Sequence, residues 1–553
     1  MFPVKQAPGV PLPTGPGSAG ADGRSQASWR AMTTAPPAPP GLQAAPARAS
    51  RPRTALAPRA RLLLAVAVAL GVLARLHSPS ALWLDEALSV EIARRPLPAL
   101  LRALRNDGSP PLYYLLLHAW IGLFGESAGA VRALSGLFGV LALPLAWVLG
   151  RRFGGPRVAL AFTLLLASSP FAIRYSSETR MYSLLVLLAL LLALAVTWAV
   201  RRRGPLPVVA VALSAAALLL THYWSVYLLV AAGLVALAAL RRDRAAAIRV
   251  LAGFALAVVL FLPWVPTLRF QLAHTGTPWA AVGGLGSITT ALDAWRGGVA
   301  VLPQVLGLTF VVLAVLAVVT QPSAEGVRLR MSRSPGRWVL VTLSLGTLVV
   351  AGVASLLTSS AVAGRYTSVA LPAFLALVAV GLVGLPSRRT TAVLLVGCVL
   401  VGLGLAASAV RTPRTQADQV AEQLQAAAPG DTVVFCPDQL GPSVSRIAPA
   451  GLDLVVYPDL RPADRVDWTD YAERNESADP ASVAAELSAR AGDGSVWLVT
   501  SRDYRVPSDE ACAQVGESLE ELRGAPQLLL DPRRGSSEVM RLQRFAAPVP
   551  AAR

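Results

Sequence analysis

The stretch RLLLAVAVALGVLARLHSPSALWLDEA, residues 61–87, decides how the rest of the chain is read. From Arg61 to His77 it is apolar except near its ends, and immediately beyond it Asp85 and Glu86 stand side by side. A membrane crossing needs roughly 20 largely apolar residues, so the run reads as a first span and the acid pair as the beginning of the loop that leaves it. Acids are scarce nearby. Residues 1–410 contain only Asp22, Asp85, Glu86, Glu91, Asp107, Glu126, Glu178, Asp243, Asp293 and Glu325, and four of these lie between His77 and Pro110. Carboxylates are concentrated where the chain emerges from the first span.

Composition extends this reading to the whole chain. With 54% hydrophobic and 15% charged residues and a mean hydropathy of +0.54, there is more apolar sequence than one soluble core would absorb. The expected class is a polytopic membrane protein. The formal charge of +18 does not imply nucleic acid, because from Arg411 onward 22 acidic residues outnumber 15 basic ones. The basic excess therefore lies upstream, in an N-terminal tail and in short loops between apolar runs, as the positive-inside rule expects. Lipid headgroups are the expected partner, and nucleic acid is not.

Residues 1–60 are rich in Pro, Ala, Gly and Ser and read as a disordered cytoplasmic tail. No convincing cleavage site follows the first apolar run, so it is expected to stay as an anchor. Basic clusters at Arg151–Arg157, Arg201–Gly204, Arg241–Arg249, Arg328–Arg337 and Ser387–Arg389 mark the cytoplasmic side. Residues 61–410 then form a mainly α helical bundle of about 11–13 spans, within which Leu112–Phe124 is short for a full crossing. The opposite ends of the spans carry RYSSETRMYS (174–183), THYW (221–224), the loop from Arg269 to Gly298, and AGRYTS (363–368). Together with Asp85 and Glu86 these share the outward face. Residues 411–553 read as a small extracytoplasmic α/β domain. DQVAEQLQ and PASVAAELSAR have helical patterns, while DTVVFC, SVWLVTSRDY and EVMRLQRF read as strands. Cys436 and Cys512 form a disulfide or remain free thiols, and Cys398 is a residue of the last span. The sequon at Asn475 has no expected role.

Asp85 and Glu86 are flanked by Leu82, Trp83, Leu84, Ala87 and Leu88, and carboxylates held against apolar surface lose hydration and become better bases. They read as functional, whereas Glu91 and Asp107 read as parts of a solvated amphipathic loop. Tyr113 and Tyr114 read as interfacial aromatics. Glu178, Arg180 and Tyr182 alternate in the second cluster, where pairing of Glu178 with Arg174 or Arg180 competes with direct chemistry. His222-Tyr223 and Arg365-Tyr366 complete the set. An arginine at such a place binds phosphate through its planar fork or snorkels to headgroups. No close group of metal ligands stands out, although Asp85, Glu86 and Glu178 together could hold one hard divalent cation.

The segments LWLDEA, SPPLYYLLLHAW, SSETRMYSLL, LLTHYW and GRYTSVALPAF resemble those of the GT-C integral-membrane glycosyltransferases. The likeness is to bacterial relatives of protein O-mannosyltransferases and of the enzymes that move aminoarabinose onto lipid A. It covers roughly residues 60–410, with Ser109 where relatives commonly have His. The resemblance implies an outward-facing site, a sugar donor carried on a polyprenyl phosphate, and Asp85 as general base, with Glu86 and Glu178 beside it. Arg180 and Arg365 would hold the donor phosphate, with Tyr182, His222, Tyr223 and Tyr366 around it. Mannose is the first expectation for the sugar, passed with inversion to a hydroxyl on protein, lipid or polysaccharide. Two other classes compete. A lipid-linked sugar flippase would place ionisable groups near the bilayer midplane, and a non-catalytic cell-envelope assembly protein would act through the C-terminal domain.

Overall fold

The computed structural model describes residues 58–275, 284–323, 326–358, 362–502, 504, 509–533 and 535–547. The Pro/Ala-rich tail lies outside the described residues as far as residue 57, as does part of the loop from Arg269 to Gly298. Among the described residues, six helices are long and apolar enough to cross a membrane: Ala128–Ser168, Tyr182–Arg201, Arg244–His274, Val301–Val319, Pro335–Thr358 and Arg388–Arg411. Shorter apolar helices run over Ala65–Leu76, Leu112–Phe124, Pro205–Thr221, Ser225–Ala239 and Leu371–Val383. Large apolar side chains such as Leu123, Val301 and Leu357 stay exposed on these helices. A surface of that kind suits lipid rather than water. The chain is a membrane-embedded helical bundle.

The 41-residue helix Ala128–Ser168 is broken by Gly155, at φ 79° and ψ −170°. Only glycine takes that conformation readily, Pro156 restarts the helix, and Gly150 packs directly against Ala159 across the bend. The far arm ends under Arg75 of the first helix, Pro58–Leu76. Buried Arg75 donates to the carbonyls of Leu166 at 2.7 Å and Ala167 at 2.8 Å, satisfying acceptors that a helix end leaves open. That contact fixes the first span against the helix pair leading to the Arg180 segment.

Beyond the first span, the chain forms two short helices, Leu84–Ala93 and Leu97–Asp107, the second ended by Gly108 in the left-handed conformation at φ 82°. Leu84–Ala93 is buried along almost its whole length. It is therefore an internal support and not the solvated loop expected for this region. Glu91 is buried and held by Arg94 at 2.7 Å and Arg95 at 3.1 Å. Tyr113 and Tyr114 are fully buried as well, so they are not interfacial aromatics.

A hairpin pairs β1 (Thr320–Ser323) with β2 (Gly326–Leu329). The remaining strands are β3 (Thr432–Cys436), β4 (Asp453–Val456), β5 (Arg461–Pro462), β6 (Val496–Thr500), β7 (Gln527–Leu530) and β8 (Arg541–Phe545). They form one sheet in the order β5-β4-β3-β6-β8-β7, with β3 parallel to β4 and β6 and the other pairs antiparallel. Alternation along β3 sends Val434 and Cys436 into one core and Val433 and Phe435 into another. Both faces are covered, which is why TVVFC is an unbroken apolar run. Cys436 and Cys512 form a disulfide between β3 and the helix Asp509–Arg523. Asn475 is buried and donates to the Tyr471 carbonyl.

Candidate active site

Three chain segments meet above the bundle. Asp85 is the second residue of Leu84–Ala93, Arg180 sits in the bend before Tyr182–Arg201, and Arg365 lies in the 3₁₀ turn Gly364–Val369. Arg365 Nη1 is 3.5 Å and Arg180 Nε 3.8 Å from Asp85 Oδ2. The three side chains retain 15% (Asp85), 12% (Arg180) and 21% (Arg365) exposure, enough to meet a ligand without dissolving into solvent. Asp85 Oδ2 accepts no hydrogen bond, and both ion pairs are longer than the 2.7–2.9 Å usual for charge-assisted bonds. Arg180 is fixed more firmly from its other side: Nη1 donates to Ser89 Oγ at 3.0 Å and Tyr114 OH at 3.4 Å.

Aromatic rings close one wall. The His222 and Tyr366 rings are 4.7 Å apart, Tyr182 and His222 6.1 Å, and Tyr182 and Tyr366 6.5 Å. The Arg180 guanidinium lies 6.0 Å from the Tyr182 ring centre and that of Arg365 5.8 Å from Tyr366, within reach of cation–π attraction. Burial, with the charges of Arg180 and Arg365, pushes the His222 imidazole down to about 3, so it is neutral. The Trp224 N–H donates to His222 Nδ1 at 3.2 Å, which leaves the ring proton on Nε2 as a donor.

Glu86 has a different task. Fully buried, it accepts two hydrogen bonds from Arg132, Nε to Oε1 at 2.7 Å and Nη2 to Oε2 at 2.6 Å. Oε1 also accepts from the Thr179 N–H at 2.9 Å and lies 3.4 Å from Arg414 Nη1. Burial alone would raise this carboxyl, but the Arg132 bond and charge, the Arg414 charge and the Thr179 N–H together hold it below the ordinary glutamate value. Glu86 is thus closed off from any substrate, yet it ties the residue after Asp85 to the residue before Arg180. Its place is structural.

Glu178 is buried with neither carboxylate oxygen hydrogen-bonded, and its ion pair with Arg174 is long, at 3.8 Å. Burial raises its carboxyl despite Arg174 and Arg414, and the charges of Glu86 and Asp85 push the same way. Tyr223 does not join the cluster: its OH donates to Gln271 Oε1 and accepts from Trp264 Nε1 at 2.8 Å. Asp85, Glu86 and Glu178 do not converge on one cation position, and among the described residues no group of three or more His, Cys, Asp or Glu is placed to hold a metal. Asp107 is no solvated loop residue either; it accepts from Tyr114 OH at 3.2 Å. Burial, the largest influence, raises its carboxyl.

Several supporting residues escaped sequence reasoning: Arg132, Arg414, Tyr114, Glu538 and Tyr504. Arg132 carried a usable signal, because an arginine inside the apolar run GAVRALSG requires a buried partner. Arg414, Tyr504 and Glu538 carried none, since they reach the site from the C-terminal region. Glu538 Oε1 accepts from the Leu84 N–H at 3.2 Å and from Tyr504 OH at 3.0 Å.

The family profile described as dolichyl-phosphate-mannose-protein mannosyltransferase matches residues 108–266. ArnT from Cupriavidus metallidurans bound to undecaprenyl phosphate is similar in structure, with a TM-score of 0.54 at 14% identity over 90% of this chain and 100% of that one. Its apo state gives 0.53 at 14% identity, over 89% of this chain and 99% of that one. The oligosaccharyltransferase of Archaeoglobus fulgidus gives a TM-score of 0.48 at 11% identity, over 85% of this chain and 72% of that one. No curated protein matches the chain. The membrane bundle, the buried acid-bearing helix after its first span and the sheet region at its C-terminal end together give this chain the fold of the GT-C integral-membrane glycosyltransferases.

Proposed function

We propose that the protein is a membrane glycosyltransferase that moves a sugar from a polyprenyl-phosphate donor to an acceptor hydroxyl, with Asp85 as general base. The observation that carries this reading is a partly exposed carboxylate, Asp85, whose buried Oδ2 accepts no hydrogen bond among the described residues and faces two guanidiniums at the end of a membrane bundle. Asp85 takes the proton of the acceptor hydroxyl as that oxygen bonds to the anomeric carbon. The bond from that carbon to the phosphate oxygen breaks on the opposite face, and polyprenyl phosphate leaves with the electron pair. A single displacement of this kind inverts the anomeric centre. Arg180 and Arg365 stabilise the growing phosphate charge, which is the main electrostatic demand of the step. His222 Nε2–H, Tyr182 and Tyr366 supply further donors from the aromatic wall.

The donor class is drawn from the matched mannosyltransferase profile and from undecaprenyl phosphate bound to ArnT. Mannose is the first sugar to test, and protein, lipid and polysaccharide hydroxyls are the acceptors. An extracytoplasmic site is favoured by the basic clusters at the other ends of the spans. The Cys436–Cys512 disulfide favours it too, as such bonds persist outside the reducing cytosol. The test is transfer from radiolabelled polyprenyl-phosphate-mannose by purified protein in detergent, with envelope extract as acceptor. Label reaching an acceptor supports the reading. No transfer, and no donor cleavage after the donor headgroup is varied across hexoses and pentoses, would remove it.

A further inference from the structure

We propose that the C-terminal α/β region is a positioning part of the transfer site, with Glu538 holding Asp85 in place and Arg414 holding the Arg180 segment. The inference rests on the proposed transfer reaction and goes beyond it by giving the sheet region a task.

The helix that presents Asp85 begins without a cap of its own. Trp83 occupies the N-cap position and makes no side-chain cap bond, and an indole has a donor but no acceptor to offer. The first N–H groups of a helix nevertheless require acceptors when buried. Glu538 supplies one from far along the chain, accepting the Leu84 N–H at 3.2 Å. Its partners are that N–H and the hydroxyls of Tyr504, Thr415 and Ser443, with no cation among them, although the side chain is fully buried. Burying a carboxyl on such terms is costly, and a helix N-terminus is one of the few places that favours the negative end of a side chain. Leu84 is also seated by side chains of the same region, Val466, Trp468 and Tyr471.

The second grip is linked to the first through the backbone. Glu538 N–H donates to the Arg414 carbonyl at 2.9 Å, and Gln416 N–H donates to the Glu538 carbonyl at 3.1 Å. This short bridge carries the buried Arg414 guanidinium inward, where it donates to Ser177 O at 2.7 Å and Ser177 Oγ at 2.8 Å and faces Glu86. Ser177 lies in the bend that presents Arg180. One bridge in the C-terminal region therefore fixes the residue before Asp85 on one side and the approach to Arg180 on the other. Both grips touch neighbours of the reacting groups, so they are positioning contacts.

The test uses the purified full chain in detergent. Glu538→Ala should lower kcat about 100-fold, the scale expected when a reacting group is displaced by about 1 Å, while donor KM changes by no more than about twofold. Glu538→Gln, whose amide oxygen still accepts the Leu84 N–H, should recover most of kcat. Hydrogen exchange supplies a readout independent of turnover: amides of residues 84–93 should exchange faster in Glu538→Ala, with residues 182–201 unaffected. Should Glu538→Ala fail to fold, Leu84→Pro removes the same bond from the other side. Proline is tolerated at a first helical position, and Trp83 already has the extended backbone that must precede it. Unchanged kcat in Glu538→Ala, equal loss in Glu538→Gln, or unaltered exchange would overturn the proposal. If the unmodified protein transfers no sugar, the reaction assignment fails, and exchange alone decides whether Glu538 holds the helix.

Discussion

Arg365 and Asp85 face each other at 3.5 Å, joining the 3₁₀ turn Gly364–Val369 to the buried helix Leu84–Ala93. The pair is loose, and Arg180 shares the same carboxylate oxygen at 3.8 Å. Asp85→Asn removes both the proposed base and the negative charge between two guanidiniums. Transfer is expected to fall by roughly 10²–10⁴-fold, the usual worth of a general base. Donor phosphate affinity should hold or increase, because the arginines lose their internal counter-charge. Turnover and polyprenyl-phosphate binding measured on the same preparation check both halves. Full transfer by the variant would end the base assignment.

For the arginines, shape matters as well as charge. Arg180 bonds Ser89 and Tyr114 and lies beside the Tyr182 ring, contacts that a flexible ammonium does not reproduce. Arg180→Lys and Arg365→Lys should each raise donor KM or lower kcat by about tenfold or more, given that hydrogen bonds to charged groups contribute about 1.5–3 kcal/mol. Steady-state kinetics over a donor concentration series provide the measurement. Wild-type kinetics in either lysine variant would show that charge alone suffices at that position.

Glu86 should matter first for stability. Arg132 and Glu86 are both buried and doubly bonded, and removing one partner of such a pair typically costs about 3–5 kcal/mol because the other charge is left stranded. Arg132→Met should accordingly lower the unfolding temperature sharply, and adding Glu86→Gln to it should recover part of the loss. A double-mutant cycle read by thermal unfolding tests this; simple additivity of the two losses would show that the pair is not coupled.

Much of this architecture was legible in the sequence because membranes impose simple rules. Apolar run length and basic loop clusters marked the bundle, and short, nearly continuous apolar runs located strands at TVVFC and SVWLVT. The cluster of Asp85, Arg180, Tyr182, His222, Arg365 and Tyr366 could be anticipated because polar residues at span ends are few. What remained hidden depended on contacts across the chain. Glu86 looked like the twin of Asp85, yet successive helical residues point about 100° apart, so one faces the site and the other the interior. Tyr223 looked like the twin of His222, but it turns toward Gln271 and Trp264. Glu538 stands in a polar GSSE stretch with no local pattern, and nothing near it in sequence points to its bond with the Leu84 N–H or its bridge to Thr415.

Buried carboxyls of the sheet region should give the protein an unusual response to pH. Glu538 is raised from 4.5 to about 7 by burial, against hydrogen bonds from Thr415, Ser443, Tyr504 and the Leu84 N–H. Asp438 is raised from 3.8 to about 7 by burial, against the Tyr471 bond and the charges of Arg474 and Arg461. In both cases the unfolded chain releases its proton at lower pH than the folded one. Deprotonation therefore favours unfolding across the interval, and stability declines as pH rises from about 4 to about 7 before levelling off. Glu86 acts in the opposite sense, since its folded carboxyl is held below 4.5 and its contribution is lost only as pH falls through that lower value. The apparent unfolding temperature should fall between about pH 5 and pH 7.5, and Glu538→Gln, which cannot titrate, should flatten that slope. A melting temperature that rises through this range, or a slope unchanged in Glu538→Gln, would show that Glu538 is already ionised in the folded protein at pH 5. The carboxylate would then be held at the Leu84 helix start by stronger compensation than its described partners provide.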